Sequence, residues 1–175
     1  LNGDPNIGLY GWATDSYCLL GIEPGRKAAA KIKRALGVEV KVAPIAGTEL
    51  SGIFAAGNSN GMILTKLAER YEVIALKELL GGINLLMVKP KETAIGNLIL
   101  CNDKGALISE RLKRFRKSIS DCLGVPVETG TVAGLEIVGS AALASSRGCL
   151  CHRLATEEEI KQIEGLLKVN VEIGT

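Results

Sequence analysis

The single histidine of this chain, His152, closes the run Cys149-Leu150-Cys151-His152, side chains that could hold a metal or activate a thiol. A structural zinc site pairs two spaced ligand dyads, and the sequence has no second dyad. Thiol catalysis needs the imidazole within proton-transfer reach of the sulfur. If residues 149–151 form a strand, Cys151 and His152 point to opposite faces and are badly placed for that transfer. Buried cysteine also behaves as a small hydrophobe, so the plainer reading is a core strand. Five cysteines in irregular spacing (Cys18, Cys101, Cys122, Cys149, Cys151) argue against a disulfide framework and predict reduced thiols in a cytoplasmic protein. Neither a metal nor a cofactor is expected.

The second chemical candidate is a cluster of cations, Arg111, Lys113, Arg114, Arg116 and Lys117, on the solvent side of an expected helix. Such a run is either a solvated face or a contact for RNA phosphate, which would make binding salt-sensitive. Aromatics are not interleaved with it, so base stacking is not suggested. A smaller set, Arg26, Lys27, Lys31, Lys33 and Arg34, is open to the same two readings. The net charge of +2 is too small to decide between them.

These residues must be positioned by a scaffold, and the composition bounds it. With 175 residues, 47% hydrophobic and 23% charged, the chain suits one globular domain. Aromatics are only 3% while glycines number 21, so the core must be small and branched aliphatics between tight turns. There is no apolar run near the length a membrane span requires. The start, Leu1-Asn2-Gly3-Asp4-Pro5, has no basic leader region and no initiator Met; it is expected to be a trimmed end.

An internal repeat organises the rest. Gly8, Gly52, Gly96 and Gly139 fall in register; six residues later come Thr14, Asn58, Asn102 and Ser145, all turn-initiating types. Nine after the glycines come Tyr17, Gly61, Gly105 and Gly148, then an apolar triplet each time. Each unit reads as strand, turn, strand, helix, strand, with boundaries at 8–51, 52–95, 96–138 and 139–175. The turn glycine is expected to supply a positive φ, and Tyr17 a different turn. The first two strands of each unit, apolar throughout, are expected to be covered on both faces. In the third unit Ser109 can cap a helix whose apolar stripe is Leu112, Phe115, Ile119, Cys122 and Leu123, stopped by Gly124. In the fourth, Thr156 and Glu159 form a capping box. The first two helices are marked by Ala28, Ile32 and Leu36, then by Val73, Leu76 and Leu80. Such units must stack to bury their second face, and an αβ propeller fits better than a solenoid.

Read with that register, the wording resembles the translation initiation factor 6 family along essentially the whole chain. The resemblance is carried by Asn2-Gly3-Asp4-Pro5-Asn6-Ile7-Gly8, by the block Thr93 to Ile108 around Gly96-Asn97, by Thr129-Gly130-Thr131-Val132 and Val138-Gly139-Ser140, and by Gly148 to His152. It implies a five-bladed αβ propeller of the pentein type that binds the large ribosomal subunit near the sarcin-ricin loop, largely through a large-subunit protein. It also implies steric exclusion of the small subunit, no catalysis, no small-molecule substrate and no membrane. Four repeats against the family's five predict an open ring, with a gap between the first and fourth units and apolar flanks exposed there. The residues after the register glycines (Leu9, Ile53, Asn97, Ser140) either gather into an interface or merely begin strands. The expected ribosome-binding set is Gly8, Ile53, Gly96, Asn97, Gly139 and Ser140, with Asn97 the best placed, and the basic cluster is the expected contact for ribosomal RNA phosphate. Gly3-Asp4-Pro5-Asn6 reads as a turn. The alternatives are a pentein-type hydrolase that modifies guanidino groups with a Cys nucleophile, and a repeat scaffold that does not bind ribosomes.

Overall fold

A computed structural model describes residues 3–174 as a mixed α/β fold with four three-stranded sheets. The first unit comprises β1 (Gly11–Ala13), β2 (Tyr17–Leu20), α1 (Gly25–Leu36) and β3 (Glu39–Val42). The second has a short turn of helix, α2 (Ser51–Phe54), then β4 (Ala55–Gly57), β5 (Gly61–Leu64), α3 (Arg70–Leu79) and β6 (Asn84–Met87). The third has β7 (Ile99–Cys101), β8 (Ala106–Ile108), α4 (Arg116–Leu123) and β9 (Val127–Thr129). The fourth has α5 (Val138–Ala141), β10 (Ala142–Ala144), β11 (Cys149–Cys151), α6 (Glu157–Leu167) and β12 (Val171–Ile173). In every sheet the first two strands pair antiparallel and the third joins parallel to the second, as the intervening helical crossover requires.

Period-two geometry explains how the units join. In β5, Met62 and Leu64 face a core shared with Tyr17 and Leu19 of β2, whereas Ile63 faces a core shared with Ile119 and Leu123 of α4. In β8, Ala106 and Ile108 belong to that second core, and Leu107 packs against Ile163, Leu166 and Leu167 of α6. The middle strands β5 and β8 are therefore covered on both faces, and each helix after the first lies on the sheet of the unit before it.

Two expectations break at the ends of this series. No side chain of α1 is buried, although Ala28, Ile32 and Leu36 form its stripe, because no sheet lies beyond it among the described residues. And β11 alternates: Cys149 and Cys151 are buried while Leu150 is half exposed and its cross-strand partner Leu143 is 72% exposed. Among the described residues no helix covers that face. Extensive contacts link first to second, second to third and third to fourth units; among the described residues none as extensive links the fourth to the first.

The turn glycines correct a further expectation. Gly61, Gly105 and Gly148 are not in the positive-φ region. A Cβ on Gly61 would lie 2.2 Å from the Cys122 carbonyl oxygen, and one on Gly105 2.3 Å from that of Leu166. Glycine is needed there because the next unit's helix ends against the hairpin, not because the hairpin closes left-handed. Tyr17 instead reaches across, its hydroxyl donating to the Asn58 carbonyl at 3.1 Å.

The third unit's helix is in two parts: Ser109 caps a 3-10 stretch, Glu110–Phe115, by accepting from the Arg111 N–H, and α4 follows, stopped by left-handed Gly124. In the fourth unit the capping box of Thr156 and Glu159 forms as expected. Glu159 has a second duty that its sequence position does not announce. It also accepts from the Thr131 hydroxyl at 2.6 Å and from the Ala133 and Gly134 N–H groups, so the helix start is tied to the loop leaving the third sheet. Glu72 does the same for the Ala46 and Gly47 N–H groups after the first sheet. Partial burial pushes the Glu159 carboxyl up, but the Thr131 hydroxyl and the N–H groups of Gly134, Thr156 and Ala133 outweigh it and leave the pKa lowered. A lowered folded-state pKa contributes stability above the unfolded value that is lost as pH falls through the folded one. Glu159→Gln is therefore expected to flatten the acid limb of the stability–pH curve measured by urea unfolding; an unchanged acid limb would count against this tie.

Candidate functional site

The register glycines build one end of the molecule. A Cβ on Gly52 would sit 2.0 Å from the Gly8 carbonyl oxygen, one on Gly96 1.9 Å from that of Gly52, and one on Gly139 2.1 Å from that of Gly96. Backbone rests on backbone from each unit to the next. Each glycine lies in a short helical turn (Ile7–Leu9, α2, Ile95–Leu98, α5), so the residue after it is presented in the same way four times. Leu9, Ile53, Asn97 and Ser140 consequently meet around one concavity of about 690 Å³. All six expected contact residues, Gly8, Ile53, Gly96, Asn97, Gly139 and Ser140, line it.

Asn97 is half buried, its backbone N–H donates to Ala94, and its side-chain amide makes no hydrogen bond among the described residues. That amide is available to an outside partner. Ser140 is exposed beside it. The turn at Gly3-Asp4-Pro5-Asn6 is held by Asp4, which accepts from the Asn6 N–H at 2.8 Å and the Tyr10 hydroxyl at 2.9 Å. Those bonds, the Asn6 one foremost, lower the Asp4 pKa. Asn2 lies outside the described residues.

The same concavity includes Leu143, Leu150, His152 and Arg153 from the fourth unit, none expected as contact residues. Register marks Leu143 and Leu150 as strand and core positions, and the bare outer face of the fourth sheet brings them to the surface.

The five cations of the basic cluster have different partners. Arg111 lies between two carboxylates, with Nε 2.6 Å from Glu136 and Nη1 3.2 Å from Glu92. Those glutamates stand in the segments leading to Gly139 and Gly96, so Arg111 braces the rim from outside; exposed as it is, each pair is screened by solvent and contributes little. Lys113 pairs with Glu110 at 3.2 Å. Arg114 donates to the Lys89 carbonyl and stacks over Phe115, 4.6 Å from its centroid. Arg116 and Lys117 have no ion pair among the described residues, and with Lys113 and Arg114 they line a cleft that shares no residue with the rim concavity.

At the opposite end of the hairpins a smaller cavity of about 260 Å³ is lined by the turn residues Thr14, Asn58, Asn102 and Ser145. Two of these are structural clamps. Asn58 donates to the carbonyls of Asn102 and Leu123, and Asn102 to those of Ser145 and Leu167, tying each turn to the next unit's turn and helix end.

The cysteine run does not assemble a nucleophilic site. Cys149 and Cys151 are buried with their sulfurs 3.8 Å apart, and the facing thiol together with burial holds Cys149 well above the ordinary thiol value. His152 is exposed, and its Nδ1 accepts from the Leu154 N–H within a turn. Burial pushes the Cys101 thiol up to about 12. Among the described residues no group of three or more His, Cys, Asp or Glu side chains could hold a metal.

The sequence model of the eIF-6 family matches residues 1–175. The chain belongs to the eIF-6 family. Translation initiation factor 6 of Methanococcus vannielii is 38% identical over 173 residues, covering 97% of this chain and 76% of that protein. The Methanocaldococcus jannaschii factor is 38% identical over 172 residues (96% and 75%), and that of Pyrococcus abyssi 39% over 176 (98% and 78%). Membership in the eIF-6 family is thus carried by the entire repeat series, including the glycine rim, and not by one motif. Among the described residues no helix is long and apolar enough to cross a membrane.

Proposed function

We propose that this chain binds the large ribosomal subunit and keeps the small subunit from joining it, acting in the cytoplasm by occupying a surface and without catalysis. The observation that carries the reading is the glycine rim. In a chain matched to the eIF-6 family throughout, four repeats converge their register positions on one concave face, with the Asn97 amide unengaged. A protein of the large subunit beside the sarcin-ricin loop is the partner for that face, and Arg114, Arg116 and Lys117 supply the cations for ribosomal RNA phosphate. The guanidino-modifying hydrolase has no support in the cysteine and histidine geometry, and no small-molecule substrate is proposed.

The finer architecture belongs to the same proposal. Residues 1–175 are read as one repeat domain, with units 8–51, 52–95, 96–138 and 139–175 taking four positions of a five-position αβ propeller of the pentein type. The repeated sheet topology and the succession of contacts from unit to unit support it, as does the bare face carrying Leu143 and Leu150.

A subunit-joining assay by light scattering tests the function. The protein should lower the yield of joined archaeal ribosomes, and Asn97→Lys should relieve that inhibition with an unchanged circular dichroism spectrum. A charge left desolvated and unpaired in an interface costs about 2–4 kcal/mol, roughly 30- to 1,000-fold in affinity. Inhibition undiminished by Asn97→Lys would move the interface away from the rim.

A further inference from the structure

Helix α3 departs from its three counterparts on the side turned to solvent. Counting back from the left-handed residue that ends each helix (Gly37, Gly81, Gly124, Lys168), the same two outward positions hold Lys27 and Ala30, Arg114 and Lys117, and Glu158 and Lys161 in the other units. In the second unit they hold Tyr71 and Ile74. Tyr71 is 67% exposed and Ile74 51%, and Leu67, just before the helix, is 47% exposed. Tyr71 and Ile74, three residues apart within the helix, share a stripe opposite buried Leu76, and Leu67 lies in the turn before the helix begins. An outward helix face is ordinarily polar, and none of these residues lines the rim concavity.

The charges on the stripe identify what it fits. Arg70 and Glu78 stand four residues on either side of Ile74, are exposed, and make no ion pair among the described residues. Two α3 helices packed antiparallel about a two-fold axis at Ile74 bring Arg70 of one copy to the height of Glu78 of the other, and the reverse. Both ion pairs form at once, as an isologous interface requires. A parallel arrangement would set like charges side by side.

We propose that the exposed face of α3 is a homodimer surface that takes a second copy of this chain, antiparallel, with Ile74 on the two-fold axis and reciprocal Arg70–Glu78 pairs flanking Tyr71. One helix pair buries less surface than the ~1,200 Å² at the lower bound for stable complexes, so the dimer is weak and reversible. It does not depend on the ribosomal reading, since the rim is built from other residues.

Sedimentation equilibrium of the 175-residue chain over a range of concentrations reads this directly. The expected result is a monomer–dimer equilibrium that Ile74→Arg weakens at least tenfold. Arg70→Glu, which sets two like-charge pairs in place, should weaken it about tenfold, and Arg70→Glu with Glu78→Arg should restore it to within about threefold. These side chains are exposed, so circular dichroism should not change. Leu150→Lys, on the bare face of the fourth sheet, should leave the equilibrium alone. A chain monomeric at every concentration would overturn the proposal, whether the stripe then meets another protein or nothing. So would a dimer indifferent to Ile74→Arg, one abolished by Leu150→Lys, or a double charge reversal that fails to restore pairing.

Discussion

Gly96→Ala is expected to destabilise the protein by about 4 kcal/mol or more, enough to unfold a large fraction of it. The added Cβ would lie 1.9 Å from the Gly52 carbonyl oxygen and 2.8 Å from that of Ala55. Both obstacles are backbone, so no side chain can swing aside, and two units would have to separate. Densely packed interiors resist that. Gly8→Ala supplies the internal control, because nothing lies within 4 Å of its Cβ position and its φ is not positive. It should change stability by no more than about 0.5 kcal/mol. Urea unfolding of both variants measures the difference; equal effects would refute the backbone-on-backbone account of the rim.

Asn102→Ala should cost about 3 kcal/mol. Asn102 is 5% exposed, and its side-chain amide makes four hydrogen bonds. Its Nδ2 donates to the Ser145 and Leu167 carbonyls, and its Oδ1 accepts from the Lys104 and Gly105 N–H groups. Each net bond is worth about 1 kcal/mol, and truncation leaves carbonyls and N–H groups buried without partners. The hydroxyl of Ser145, at the same register in the fourth unit, bonds among the described residues only within its own turn, to Gly148 and Arg147, so Ser145→Ala should cost at most about 1 kcal/mol. Thermal unfolding of the two variants compares them, and a Ser145→Ala loss equal to that of Asn102→Ala would contradict the clamp.

Much of this was legible from the residues. The spacing of Gly8, Gly52, Gly96 and Gly139 located the units, and the capping box at Thr156 and Glu159 and the stop at Gly124 located helix ends, because both signals are local. What stayed hidden was contact between units. The roles of Gly61 and Gly105 were read as turn conformation, whereas they answer to a helix more than 60 residues away. Glu159 announced a cap but not its hold on the preceding loop. Arg111 was grouped with Arg116 and Lys117 by sequence, and only three dimensions set it between Glu92 and Glu136. The rim residues could be listed from the repeat, yet Leu143 and Leu150 could not, since their exposure depends on a neighbour that the described residues do not supply.

Under the proposed function, the glycine rim is the surface that engages the large ribosomal subunit. Pelleting the protein with purified archaeal large subunits through a sucrose cushion at low salt, wild type beside Asn97→Lys, tests it most directly. Wild type should pellet with the large subunit but not with the small one, and Asn97→Lys should stay in the supernatant while keeping its circular dichroism spectrum. Wild type remaining in the supernatant, or both proteins pelleting equally, would contradict it.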